Sequence, residues 1–306
     1  MLVNKSNLSN LFISLKAMFN NAFDAAPTTW EKIAMLVPSS TSQNDYAWLS
    51  AFPKMVRWVG SKAVKNLKGF KYSILNENFE ATIEVDRNDI EDDNLGIYST
   101  QAKGAGMSAK QLPDEIVYEV VNGGFTTLCF DGQYFFDTDH PVIQDGRVVS
   151  VSNKSDKALS AESVAAAEAS LGVGSMAMME FKDDEGRSLN VKPNILLVPP
   201  ALMFTANLLM TTDRLEDGKA NPFKGAYEVV VEPRLRSRTA WFLLDTTKPV
   251  RPFIYQERKK AVLVEQTDPQ SDKVFDTRLF KFGAEARAAG GYGFWQTAFG
   301  STGTVA

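Results

Sequence analysis

The densest group of potentially reactive side chains is Phe135-Phe136-Asp137-Thr138-Asp139-His140-Pro141, where two carboxylates precede the one histidine of the chain. Carboxylate beside imidazole could serve as a general acid/base pair or as part of a metal-ligand set. The stronger reading is a turn after an aromatic strand, in which Asp and Thr side chains satisfy backbone amides. A serine hydrolase would need the same His140 and an exposed nucleophile, and the sequence holds no Gly-x-Ser-x-Gly elbow. With Cys129 as its one cysteine, the chain can form no intrachain disulfide and cannot assemble a standard zinc site from several Cys and His ligands. No cofactor and no metal are expected, and the chain reads as no enzyme.

Other suggestive groupings also have plainer readings. Gly290-Gly291-Tyr292-Gly293 lacks the strand-to-helix context and the Gly-Lys-Ser/Thr ending of a phosphate loop, so it reads as a glycine-rich bend. Arg234, Arg236 and Arg238 alternate on one face of a strand or extended loop, and Lys62, Lys65, Lys68 and Lys71 line an expected hairpin; both could touch phosphate. The formal charge of −4 favours solvated or interfacial charges over a nucleic-acid grip, because phosphate binding is driven by Lys and Arg. Trp30, Trp48, Trp58, Trp241 and Trp295 read as packing or interface anchors.

The elements that would position these residues follow from period and punctuation. With 306 residues, 44% apolar and 23% charged, the chain is an ordinary folding sequence at the size where a single core begins to divide. It has no run of about 20 apolar residues and no secretory leader pattern at Met1. Leu11, Phe12, Leu15, Met18, Phe19 and Phe23 fall at helical spacing, followed by Pro27, Pro38 and the cluster Ser39 to Ser42, which reads as an arm lying on something. Phe79, Ala81, Ile83 and Val85 alternate with polar residues and, with Lys68-Gly69 as the turn, predict a long hairpin. A long helical segment begins near Asn88, weakens at Gly104 and Gly106, restarts at Pro113 and ends at Asn122-Gly123-Gly124. A second helix is expected from a Ser160 cap to Gly172. Short strands follow at Ile195 to Val198, Glu228 to Val231, Ala240 to Leu244, Val250 to Tyr255 and Val262 to Val264. With no βαβ alternation and no internal repeat, the class is α+β. An arm and a protruding ribbon are parts that wait for neighbours, since a lone two-stranded ribbon is marginal in water.

Several stretches, in order and along the whole chain, resemble the major head subunit family of Mu-like (transposable) phages and prophages. They are Trp30-Glu31-Lys32-Ile33-Ala34, Tyr46-Ala47-Trp48-Leu49, Asn76 to Ile83, Asp89-Ile90-Glu91-Asp92-Asp93, Phe135 to Pro141, Trp241 to Asp245 and Tyr292 to Gln296. The resemblance implies the tailed-phage and herpesvirus major capsid fold, of the Hong Kong ninety-seven type. It places residues 1–51 in an N-terminal arm, 52–87 in an extended loop, 88–189 with 282–306 in a peripheral domain holding a spine helix, and 190–281 in an axial domain. It further implies self-assembly as hexamers and pentamers into an icosahedral virion capsid around double-stranded DNA, without sequence-specific binding or membrane contact. Assembly would run in the host bacterial cytoplasm with a separate scaffold protein, a maturation protease, a portal and, in some relatives, a decoration protein. Expected inter-subunit contacts are Arg57, Trp58, Lys62, Lys65, Lys68, Phe70, Tyr72, Arg234, Arg236 and Arg238. The alternative function, drawn from the arginine row and the lysine hairpin, is a DNA-binding or packaging-associated phage protein.

Overall fold

The computed structural model describes residues 5–46, 72–92, 96–144, 147–183, 186–268 and 272–304. Its N-terminal helix α1 (Lys5–Ala25) buries Leu8, Leu11, Leu15 and Phe19 along one stripe. A 3₁₀ turn (Trp30–Lys32) leads into β1 (Ala34–Pro38), then β2 (Gln43–Asp45), β3 (Ser73–Leu75) and β4 (Glu77–Asp86). Asp86 caps the short α2 (Arg87–Glu91) by accepting from the Asn88 N–H at 2.7 Å. Helix α3 (Gly96–Asn122) then runs unbroken through Gly104, Gly106 and Pro113. The expected interruption does not occur, because packing of α3 on α1 and the main sheet outweighs the local cost of the glycines and the proline.

Next come the hairpin β5 (His140–Gln144) and β6 (Arg147–Val151), then β7 (Lys154–Ser155). Helix α4 (Val164–Ala167) passes through a π turn (Glu168–Gly172) into α5 (Val173–Glu180). The cap here is Ser163, which accepts from the Ala166 N–H at 3.1 Å, and not Ser160; nor does Gly172 end the helix. The remainder is β8 (Ile195–Val198), α6 (Met203–Thr211), β9 (Glu228–Val231), β10 (Trp241–Leu244), β11 (Phe253–Gln266), α7 (Asp272–Thr277), β12 (Leu279–Tyr292) and β13 (Ala298–Ser301). The two short strands expected around residues 250 and 263 are one strand, β11. The charged run between them, Glu257 to Lys260, continues the ladder through register shifts, alternating between exposed and half-buried positions. The class is α+β.

Two sheets organise the body. One has the order β1-β11-β12-β4, with β1 and β11 parallel and the other pairs antiparallel. The other has the order β7-β13-β10-β8-β9. The alternation expected at Phe79 to Val85 is real, since Ile83 and Val85 are buried in β4, yet the strand pairs with β12 and is an edge of the first sheet. The other limb of the expected hairpin and the Lys68-Gly69 turn lie outside the described residues.

The sheets also group the chain differently from the expected division. A boundary between residues 281 and 282 would cut β12, a continuous strand, and β8, β9 and β10 share their sheet with β7 and β13. One lobe is therefore α1, α3 and the four-stranded sheet. The other is the five-stranded sheet with α4, α5 and α6. The arm helix lies on its own subunit, with α1 packed against α3 and the first sheet in a core that includes Tyr98, Ala102, Phe280 and Phe282.

Candidate functional site

His140 opens β5 and is fully buried. Its Nδ1 lies 2.7 Å from Asp131 Oδ2 and its Nε2 3.1 Å from Asn153 Oδ1, while the ring stacks on Trp295 at 4.0 Å with an interplanar angle of 10°. The carboxylate that meets the imidazole is therefore Asp131, and neither Asp137 nor Asp139. Asp137 plays the turn role expected of it, accepting from the backbone N–H groups of Tyr134 and Thr138. Asp131 Oδ1 accepts from the Cys129 thiol and from the Gln133 N–H, both at 3.1 Å, which closes the 129–133 loop.

Thiol, carboxylate and imidazole thus come together, the arrangement of a nucleophilic or metal site. Its electrostatics run the other way. Burial pushes the Cys129 thiol up, and the Asp131 charge pushes it further, whereas a nucleophilic cysteine needs a depressed value and access. Burial would also raise the Asp131 carboxyl, but the hydrogen bond and charge of His140 outweigh it and hold Asp131 below the usual carboxylate range. These are the features of a buried structural contact and not of a nucleophile.

A second polar centre joins the two lobes. Asp114 of α3, 1% exposed, accepts from the backbone N–H groups of Thr29 at 3.0 Å and Trp30 at 2.8 Å. The Thr29 hydroxyl donates to Glu232 at 2.8 Å and is 2.8 Å from the Tyr118 hydroxyl. Arg234 bridges Glu232 at 3.0 Å and Glu115 at 2.7 Å. Arg236 makes only a long, exposed contact to Glu119 at 3.5 Å, although its backbone N–H is held by Asn122 Oδ1. Arg238 is exposed. Of the two alternatives for the arginine row, strand or extended loop, the structure shows the loop, which follows β9. Its first member is committed within the chain and its other two point to solvent.

Of the remaining expected contact residues, Arg57, Trp58, Lys62, Lys65, Lys68 and Phe70 lie outside the described residues, as do Trp48 and Lys71. Tyr72 is described: its hydroxyl accepts from the Tyr292 N–H at 2.8 Å, and its carbonyl accepts from the Tyr46 N–H at 2.7 Å. Burial pushes its phenol up to about 12. Gln256, fully buried, accepts from the Tyr46 hydroxyl at 2.7 Å and donates to the Ile74 carbonyl at 3.1 Å and to Asn76 Oδ1 at 2.8 Å. Both sides of segment 47–71 are therefore rooted in the first sheet. The sequence signal for this was the polar Gln256 directly after the apolar Phe253-Ile254-Tyr255.

The glycine run is no bend. Gly290 and Gly291 sit in β12, where a Cβ on Gly290 would stand 2.6 Å from Val120 and 2.8 Å from Ile116 of α3. Glycine here lets helix and sheet meet. Trp30, Trp241 and Trp295 are buried anchors, as expected. The cavity beside Trp295, about 250 Å³, is lined mainly by Val142, Val151, Ala177 and Phe181, with Glu180 and Lys182 as its charged members. Among the described residues no helix is long and apolar enough to cross a membrane. Exposed apolar side chains gather instead on the hairpin (Ile143, Val148, Val149) and on α5 (Val173, Met176, Met179).

A long helix laid across one sheet and a second sheet forming the other lobe define the class: this is the fold of tailed-phage major capsid proteins. The chain superposes on a procapsid chain of bacteriophage JBD30 with a TM-score of 0.63 and 29% identity, covering 99% of this chain and 77% of that one. It is 33% identical to the major capsid protein of Escherichia phage Mu over 298 residues, 97% of this chain and 74% of the relative. It is 30% identical to the Mu-like prophage FluMu major head subunit of Haemophilus influenzae, covering 94% and 70% of the two chains. The family model of the Mu-like prophage major head subunit gpT matches residues 8–164, 157–235 and 236–306. The chain belongs to that family.

Proposed function

We propose that the subunit assembles as hexamers and pentamers into an icosahedral head that encloses double-stranded DNA. The observation that carries this reading is the near-complete alignment with the phage Mu major capsid protein, 97% of this chain at 33% identity. In this reading the five-stranded-sheet lobe is the axial domain at the capsomer centre, and α3 with the four-stranded sheet is the peripheral domain. The extended loop, expected at residues 52–87, contacts a neighbouring subunit through Arg57, Trp58, Lys62, Lys65, Lys68 and Phe70, with Tyr72, Arg236 and Arg238 as further contacts. Arg234 is withdrawn from that set, since its guanidinium is engaged by Glu232 and Glu115.

No catalysis is required of the subunit. A separate scaffold protein, a maturation protease and a portal complete the assembly in the host cytoplasm, and a decoration protein is an optional addition. DNA is enclosed without a tight grip, because a net charge of −4 supplies little of the counterion release that drives phosphate binding. The test is co-expression with scaffold followed by negative-stain microscopy, together with fluorescence anisotropy on duplex DNA. Closed polyhedra and weak, sequence-independent DNA binding are expected. Absence of particles combined with nanomolar DNA affinity at physiological salt would instead establish the packaging-protein reading.

A further inference from the structure

The partners around His140 constrain which of its ring nitrogens carry hydrogen. Asn153 cannot be turned end for end: its Nδ2 donates to the Phe135 carbonyl at 2.8 Å and to those of Trp295 and Ala298 at 3.3 Å, and its Oδ1 accepts from the Asp137 N–H at 2.9 Å. Oδ1 is therefore an acceptor toward the ring, and Nε2 must carry a hydrogen. On the opposite side, Nδ1 faces the Asp131 carboxylate at 2.7 Å. A neutral imidazole has one N–H, so beside an ionised Asp131 one of these two contacts would become a pair of facing lone pairs. Asp131 is held ionised by the two donors on its Oδ1, the Gln133 N–H and the Cys129 thiol, both at 3.1 Å. With Asp131 ionised, a cation sits at Nδ1.

That cation could be a metal, since Cys129, Asp131 and His140 offer ligand atoms within 4.8 Å of one another. The distances decide against it. Tetrahedral zinc with ordinary bond lengths keeps nitrogen and oxygen ligands about 3.3 Å apart and sulfur and oxygen about 3.5 Å apart. Here the separations are 2.7 Å and 3.1 Å, those of hydrogen bonds. The parallel face of Trp295 at 4.0 Å also suits a cation.

We propose that His140 is a buried imidazolium, ion-paired with Asp131 and stacked on Trp295, and that this pair is a proton-held clasp fixing the root of the β5–β6 hairpin to the segment Trp295–Ala298. The clasp ties together three pieces: the 129–133 loop through Asp131, both hairpin ends through His140 and Asn153, and the turn before β13 through Trp295. The titratable groups around the ring are Asp131 and Cys129 from the loop, with the Tyr72 and Tyr292 hydroxyls in electrostatic reach of Cys129. Glu180 and Lys182 line the cavity that Trp295 also lines. Trp295 and Asn153 add no titrating group. Because the hairpin carries the exposed Ile143, Val148 and Val149, the clasp sets the direction in which that apolar surface is presented. The inference stands whether or not the subunit builds shells.

The full chain contains one histidine, so nitrogen-15 labelling of histidine gives a single pair of ring signals from the unmodified protein. Both nitrogens are expected to carry hydrogen at neutral pH. A neutral tautomer with one protonated nitrogen overturns the proposal, and so does elemental analysis finding one transition-metal ion per chain. The clasp itself is tested by His140→Gln, which keeps polar atoms but no charge: amide exchange in residues 140–151 should rise about tenfold or more while β10 stays protected. Unchanged protection of the hairpin refutes the clasp. Should that variant not fold, Asp131→Asn carries the same measurement.

Discussion

Two glycines of α3, Gly104 and Gly106, should respond differently to the same substitution, the first stabilised and the second not. A Cβ at Gly104 meets nothing within 4 Å, so Gly104→Ala gains only the helix preference of alanine, about 1 kcal/mol. At Gly106 the added carbon would stand 3.1 Å from the carbonyl carbon and 3.2 Å from the Cα of Phe19, and closer still to the Phe19 carbonyl oxygen. That neighbour is helix backbone and cannot swing aside as a side chain would. The α1–α3 contact must open, at an overpacking cost of about 1–3 kcal/mol that cancels or exceeds the same alanine gain. The two variants should thus differ by about 1–3 kcal/mol, or roughly 2–12 °C in melting temperature at about 2–4 °C per kcal/mol. Thermal melts of the soluble subunit followed by circular dichroism read this directly. Equal stabilisation by both substitutions would refute the close docking of α1 on α3.

Three further outcomes follow from the polar centres. Asp131 has a depressed carboxyl, so its contribution is present above the ordinary carboxylate range of about pH 4 and is lost as pH falls through its lower folded value; Asp131→Asn should flatten that acid limb in urea titrations across pH. Cys129, buried with its thiol pushed up, should react with a thiol reagent only as the subunit unfolds, which a parallel denaturant series measures. Arg234→Ala should cost about 3 kcal/mol in urea melts because it leaves the buried Glu232 without its ion-pair partner, while Arg236→Ala, removing an exposed contact, should change subunit stability by less than about 0.5 kcal/mol.

What was legible in the sequence was local. The stripe from Leu11 to Phe23 gives α1, the alternation from Phe79 to Val85 gives β4, and the apolar runs at Ile195 and Glu228 give β8 and β9, because period reports which face is buried. Partnership was not. Nothing in residues 77–86 says that β4 pairs with β12, and the charged run from Glu257 to Lys260 hides a strand whose continuity is imposed by its neighbour. Gly290 reads as a turn residue until α3 is laid upon it. At the buried centre, His140 was visible as a singular residue, but Asp131 and Asn153 were not, since the ion pair is assembled from a loop and a hairpin whose contact is tertiary. The family resemblance carried what periodicity could not, and it did so through the order of many short stretches along the chain.

The central claim, that this chain builds a head from two lobes with separate places in the capsomer, is tested most directly by cryo-electron microscopy of particles assembled with scaffold. The account predicts closed shells of pentamers and hexamers. The five-stranded sheet of β7, β13, β10, β8 and β9 should lie nearest each capsomer axis, with α3 and the four-stranded sheet toward the periphery. Failure to form shells under these conditions, or shells with the four-stranded sheet at the capsomer axis, would contradict it.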